Sequence, residues 1–165
     1  MKEEKIKIVK SENLNEILEL REMIVSCLPN LKKKTTKVYL ENKIKNKEGE
    51  IIKAILGKKV LGFLAWLKET ENTAYIWWLI VDKKYQRNHL GTKLMKEALK
   101  ELRKKGFKKV WAKIKNDNFS ALSLALKFHF FIEGISNEDQ IFTVIVAKNL
   151  LKKGGEKKCL KKEGG

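Results

Sequence analysis

Residues Tyr75-Ile-Trp-Trp-Leu-Ile-Val81 form an unbroken apolar run. The polar, basic stretch Asp82-Lys-Lys-Tyr-Gln-Arg-Asn-His89 follows at once, and then apolar residues recur at helical spacing. A strand without alternation is covered on both faces, so this one belongs in mid-sheet with helices on either side. The helix that follows carries Leu90, Leu94, Met95, Ala98, Leu99 and Leu102 on one face and is closed by Gly106. A buried strand feeding a loop and an amphipathic helix is the local grammar of an α/β domain.

The remaining segments fit around this unit. Lys5–Val9 reads as a short half-buried strand, and a helix follows from Asn13, with Asn13 as N-cap and Glu16 as its capping-box partner, until Pro29 stops it. The very basic stretch Leu31–Lys47 reads as a poorly packed second helix. Strands are expected at Ile51–Leu56, Val60–Leu67 and Thr73–Asp82, the first two joined by a turn at Gly57-Lys58-Lys59 and therefore antiparallel. Val110–Ile114 is a strand with Trp111 and Lys113 on its other face, and Asn118 caps a helix through Leu126. Phe130–Ile132 and Ile141–Ala147 close the domain as a hairpin across Gly134–Gln140. The order β-α-α-β-β-β-α-β-α-β-β describes one domain over residues 1–148, followed by a basic, flexible tail at 149–165.

Composition narrows the classes. At 165 residues with 43% hydrophobic content there is one core and no wholesale disorder. A net charge of +17 says that the chain meets anions without saying which. No apolar run approaches the ~18 residues a membrane span needs, and the first residues, Met1-Lys-Glu-Glu-Lys, carry no apolar signal, so a cytoplasmic location without membrane association is expected. Cys27 and Cys159 lie far apart, and His89 and His129 make no ligand set, so no disulfide framework and no metal site is expected.

The chemistry concentrates after Val81. Unpaired amides at a helix start, the helix dipole, Arg87 and Lys93 together make a seat for a pyrophosphate, and Gly91 permits close backbone approach. An ordinary polar strand-to-helix turn explains the loop about equally well. The segment Gln86-Arg87-Asn88-His89-Leu90-Gly91, with Val81 at the strand end, resembles motif A of the GNAT superfamily of N-acetyltransferases, whose pattern is Gln/Arg-x-x-Gly-x-Gly/Ala. His89 stands at the first Gly of that pattern. Downstream, Asn118-Phe-Ser-Ala121-Leu-Ser-Leu124-Ala125-Leu-Lys-Phe-His-Phe130 is similar to the family's Asn-x-x-Ala-x-x-Leu-Tyr-x-x-x-Gly-Phe, with Ala125 for the Tyr and His129 for the Gly.

The resemblance implies a GNAT-like fold, an α/β domain with a mixed central sheet of about seven strands flanked by helices. It also implies acetyl-CoA as cosubstrate and direct transfer of acetyl to a primary amine of a small molecule, peptide or protein. By the same resemblance, main-chain groups of the segment Leu79-Ile80-Val81 serve the pantetheine arm. Gln86, Arg87, Asn88, His89, Leu90, Gly91 and Thr92 hold the pyrophosphate, and Asn118 lies near the sulfur. With the family's leaving-group Tyr replaced by Ala125, the catalytic candidates are Asn118 and Tyr75, the latter where some members carry a Glu base. A plain N-cap and a buried structural Tyr explain the same two residues. Acceptor specificity in this fold sits at Pro29–Thr36 and Gly134–Gln140, where Glu138 and Asp139, with nearby Glu133, offer acid to a cationic amine or form a solvated turn. Homodimers are common in the family. Two other functions stay open: a GNAT-fold CoA-binding protein without catalysis, and a basic protein associated with nucleic acid or the ribosome.

Overall fold

In the computed structural model, which describes residues 5–151, seven strands share one sheet in the order β1-β2-β3-β4-β5-β7-β6. They are β1 (Lys7–Ser11), β2 (Gly49–Leu56), β3 (Lys59–Lys68), β4 (Thr73–Val81), β5 (Lys109–Lys115), β6 (Phe131–Glu138) and β7 (Ile141–Asn149). Only β4 and β5 pair in parallel; the other neighbours are antiparallel. The apolar run is thus the fourth of seven strands, in mid-sheet as its composition requires. The tail expected at 149–165 lies, beyond residue 151, outside the described residues.

Helices cover both faces. On one lies α4 (Leu90–Lys104), which buries Leu90, Leu94, Met95, Ala98, Leu99 and Leu102 against Ile52, Leu64, Trp66, Ile76 and Val110. Each large apolar side chain so buried contributes about 1.5–3 kcal/mol. Gly106 ends the helix at φ 86, where the Phe107 N–H donates to the Leu102 carbonyl (3.0 Å) and the Gly106 N–H to Arg103 (3.1 Å). The helix α5 (Phe119–Lys127) adds Ala125 to the same core.

The opposite face carries α1 (Glu16–Glu19), α2 (Arg21–Cys27), a 3-10 segment at Pro29–Thr35 and α3 (Lys37–Ile44). Their Ile17, Ile24 and Leu40, with Leu14 just ahead of α1, pack on Ile51, Phe63, Trp78 and Ile80. The single helix expected from Asn13 is broken at Leu20, and its start differs in detail. The Asn13 side chain accepts from Asn15 N–H (3.2 Å), while the Glu16 carboxylate binds the Ser11 hydroxyl (2.6 Å) and the Lys53 ammonium instead of closing a capping box. The basic stretch expected as one helix divides at Thr36, whose side chain caps α3 by accepting from Tyr39 N–H (3.2 Å).

One buried acid is poorly served. Glu50 on β2 is 4% exposed, its Oε1 has no hydrogen-bond partner, and the Lys105 ammonium stands 3.9 Å from its other oxygen. Burial pushes its carboxyl above the ordinary range. Because the folded state then holds the proton more tightly than the unfolded chain, stability falls as pH rises above that range. Glu50→Gln is expected to stabilise the protein by about 1 kcal/mol near neutral pH and by less under mild acid, read by denaturant unfolding at both.

Candidate active site

The site begins with a break in strand pairing. β4 and β5 are paired only from Thr73↔Lys109 to Ile76↔Ala112, although both strands run on, to Val81 and Lys115. Beyond that point they part, leaving a V-shaped gap in mid-sheet. The cause lies on β4's other edge. There the register with β3 passes from Ala65↔Trp78 to Trp66↔Ile76, so Trp77 is an extra, bulged residue. A bulge bends its strand and raises the local twist, which swings the second half of β4 away from β5. It also changes faces: Ala74 and Ile76 point into the α4 core, while Trp78 and Ile80 point into the α1–α3 core.

The gap exposes main-chain groups. The Asp82 N–H donates to the Leu61 carbonyl (2.8 Å), so Asp82 faces β3, and by strand alternation so does Ile80. Leu79 and Val81 therefore turn their N–H and C=O groups to the gap, where β5 has no residue opposite them. The Val81 carbonyl is already taken: the Gln86 side-chain amide (3.0 Å) and the Cys27 thiol (3.4 Å) both donate to it. Burial pushes the Cys27 thiol up, which keeps it a donor. Ile80, grouped with these two residues in the sequence, turns its main chain to β3 and its side chain into the core. Gln86, read as a phosphate contact, uses its amide to tie the loop back onto β4.

At the gap's mouth stands the N-terminus of α4. It has no side-chain cap and no acid in its first turn, and Arg87, Asn88 and His89 before it are exposed. The amides of Leu90, Gly91 and Thr92, which an α-helix leaves unpaired, face outward with the positive end of the helix dipole. This arrangement fits a diphosphate. Both departures from the glycine pattern sit where the backbone is left-handed: His89 at φ 58, and His129 at φ 61 ending α5, where Phe130 N–H reaches Ala125 O at 3.0 Å. The chain keeps the backbone that glycine serves and accepts the strain of a Cβ there. His129→Gly and His89→Gly are each expected to raise stability by about 0.5–1 kcal/mol, a left-handed penalty removed less the added freedom of the unfolded chain. Thermal unfolding of the two variants checks this.

Across the sheet from α4, a second group of side chains faces α1–α3. The Tyr75 ring stacks on Trp111 (centroids 4.5 Å apart), and the Trp111 indole N–H donates to Glu69. Burial pushes the Tyr75 phenol well above its usual range, so it keeps its proton at neutral pH and serves as a donor rather than a base. Lys43 from α3 places its ammonium 5.7 Å from the Tyr75 ring centroid. At the tip of the last hairpin, Glu138 accepts from both Lys113 of β5 and Lys34 of the 3-10 segment (3.1 Å to the latter). The two lysines, Lys113 first, hold its carboxyl down at about 2. Asn118 stands at the start of α5, just past the end of β5, where its N–H donates to the Lys115 carbonyl (2.9 Å). Its Oδ1 accepts from Ala121 N–H (3.1 Å), and its NH2 group makes no hydrogen bond among the described residues.

Comparison with known proteins decides the family: the model of the Acetyltransferase (GNAT) family matches residues 17–130, well over half of the chain. The chain belongs to the GNAT acetyltransferase family. Its fold is the GNAT fold of solved structures. The PaiA N-acetyltransferase of Thermoplasma acidophilum in complex with coenzyme A matches at 21% identity and TM-score 0.66, covering 88% of this chain and 99% of that one. A GNAT family acetyltransferase from Elizabethkingia anophelis with acetyl-CoA bound matches at 18% and 0.69, covering 87% and 97%. The ribosomal-protein-S18-alanine N-acetyltransferase from Escherichia coli matches at 16% and 0.67, covering 91% and 98%. No curated protein matched the sequence. Within this GNAT domain the Lys34–Glu138–Lys113 bridge is what sequence reasoning missed, since its members come from three elements and no spacing relates them. The hairpin itself is tighter than the loop expected at 134–140: β6 continues to Glu138, and Asp139-Gln140, both at positive φ, make a two-residue turn. Among the described residues no three His, Cys, Asp or Glu side chains group to hold a metal, and no helix is long and apolar enough to cross a membrane.

Proposed function

We propose that this GNAT protein transfers the acetyl group of acetyl-CoA to the nitrogen of an amine. The observation that carries the reading is the pairing break at Ile76↔Ala112, which leaves Leu79 and the Val81 N–H unpartnered in a gap whose mouth is an uncapped helix N-terminus. Leu79 and Val81 hold the amide-bearing pantetheine arm by main-chain hydrogen bonds, as an added strand would. The amides of Leu90, Gly91 and Thr92, with Arg87, hold the pyrophosphate. The Thermoplasma acidophilum and Elizabethkingia anophelis structures contain coenzyme A and acetyl-CoA, which supports the same reading.

When bound, acetyl-CoA supplies an activated acyl group on a thiol with a pKa of ~8.5, a tolerable leaving group. The nitrogen–carbon bond forms as the carbon–sulfur bond breaks, and the amine's proton passes to water. Tyr75 keeps its own proton and orients the acceptor or its water, while Asn118 offers its free NH2 toward the sulfur. Neither residue is a strong acid or base, and the loss of one general acid costs about 10²- to 10⁴-fold, so slow turnover is consistent with this site.

Purified protein incubated with acetyl-CoA and a panel of amines is expected to release free thiol in step with acetylated amine seen by mass spectrometry. Thermal stabilisation by CoA with no transfer to any amine would support a binding protein instead. The charge of +17 favours one added property, weak association with nucleic acid alongside transfer. Affinity for duplex RNA that falls steeply with salt would show it, and no affinity at low salt would remove it.

A further inference from the structure

The side of the gap opposite α4 is cationic. Lys34, Lys43 and Lys113 converge there, and Glu138 is the carboxylate that meets two of them. Among the described residues Lys43 has no carboxylate within salt-bridge distance; it sits by the Tyr75 ring, and of the charges that act on it Lys47, Lys113 and Lys34 oppose its ammonium while Glu138 alone favours it. Burial first, and then Lys47, Lys113 and Lys34, pull its ammonium below the ordinary value. A half-buried ammonium among lysines costs free energy that an incoming anion would recover. Lys113 is the first β5 residue beyond the last β4 pair, and Tyr75 immediately precedes that pair on β4, so the cluster borders the point where the strands part.

We propose that the amine acceptor is a small anionic amine, with a carboxylate or phosphate group a few bonds from its nitrogen, seated by Lys43 and Lys113 beside the Tyr75–Trp111 stack. This rests on the transfer reading above and adds the acceptor's chemical class to it. A polycation such as an aminoglycoside or a polyamine would meet three lysines against two carboxylates, Glu138 between Lys34 and Lys113 and Glu69 on the Trp111 indole. The bridge from Lys34 to Glu138 joins the 3-10 segment to the hairpin tip over this side of the gap, which favours a small acceptor over a polypeptide end.

The test compares matched acceptors in two assays. The first is kcat/KM for acetyl transfer to β-alanine against its amide, to phosphoethanolamine against ethanolamine, and to spermidine. The carboxylate and phosphate arms identify which anion is preferred. The second is intrinsic tryptophan fluorescence on titrating the same compounds in the presence of CoA, which needs no turnover, with Trp111→Phe run in parallel to isolate the Trp111 signal from the other three tryptophans. The acid is expected to exceed its neutral partner by about tenfold or more in both assays, the gain of one charge-assisted hydrogen bond. Lys43→Gln should erase most of that preference, while Glu138→Gln, which frees Lys34 and Lys113, should increase it severalfold. Equal or better performance of the amides or of spermidine overturns the proposal, as does preference for an acidic peptide N-terminus over every small acid. Thiol release with neutral amines alone leaves the transferase standing and removes only the anionic acceptor. An anion preference in binding with no transfer to any amine removes the transferase and keeps the anion seat.

Discussion

Gly91→Asp is expected to abolish coenzyme A binding at ordinary concentrations while leaving the protein as stable as before, or slightly more so. A Cβ at position 91 meets only the Leu124 Cδ2 atom, at 3.5 Å, an ordinary contact, and its φ is not left-handed. The fold therefore accepts the side chain. An acid in the first turn of α4, which now has none, interacts favourably with the helix dipole by about 0.3–1 kcal/mol. The same carboxylate stands among the amides assigned to the diphosphate, where juxtaposed like charges cost several kcal/mol, or about a hundredfold and more in affinity. Calorimetric titration with CoA and a thermal melt of the same preparation read the two effects. A change at an uninvolved helix start would raise the Tm and leave affinity alone, so the opposed signs identify the site.

The second large effect is expected at Gly62→Ala. Gly62 on β3 lies opposite Val81, and a Cβ there would stand 2.8 Å from the Ile80 carbonyl oxygen and 3.2 Å from the Val81 Cα. Both are backbone atoms of the central strand, so relief requires β3 and β4 to separate. Overpacking of this kind costs about 1–3 kcal/mol. Its displacement falls on Ile80 and on Val81, the second of which turns its main chain to the gap, so CoA affinity should drop with stability. Chemical denaturation and CoA titration on one variant measure both, and a destabilised protein with full affinity would show that the edge of β4 is not used.

Much of this architecture is legible in the chain. The run at 75–81 places its own strand in mid-sheet, the spacing from Leu90 to Leu102 predicts α4, and the residues around Gly91 and Asn118 carry the family resemblance. The bulge is not legible. Every residue from Tyr75 to Val81 is apolar, so an inserted residue leaves no fault in the pattern, yet Trp77 and Trp78 share a face with rings 5.6 Å apart. The break at Leu20 is hidden in the same way, because Ile17, Leu20 and Ile24 stay buried on both sides of it. Charges are harder still. Glu138 reads either as acid for a cationic amine or as part of a solvated turn, whereas the fold gives it to Lys34 and Lys113 and leaves Lys43 without a salt-bridge partner among the described residues. With 37 basic residues on the chain, no spacing singles out the three that meet.

Amide hydrogen exchange with and without acetyl-CoA tests the central claim most directly. The Leu79 N–H faces the gap with no strand partner, and the first amides of α4 have no acceptor within the helix. Segments spanning 77–81 and 87–93 are expected to gain strong protection together on addition of acetyl-CoA, with β1 and β2 unchanged. Saturating ligand that leaves both segments exchanging as before, or protection confined to another surface, would contradict the account.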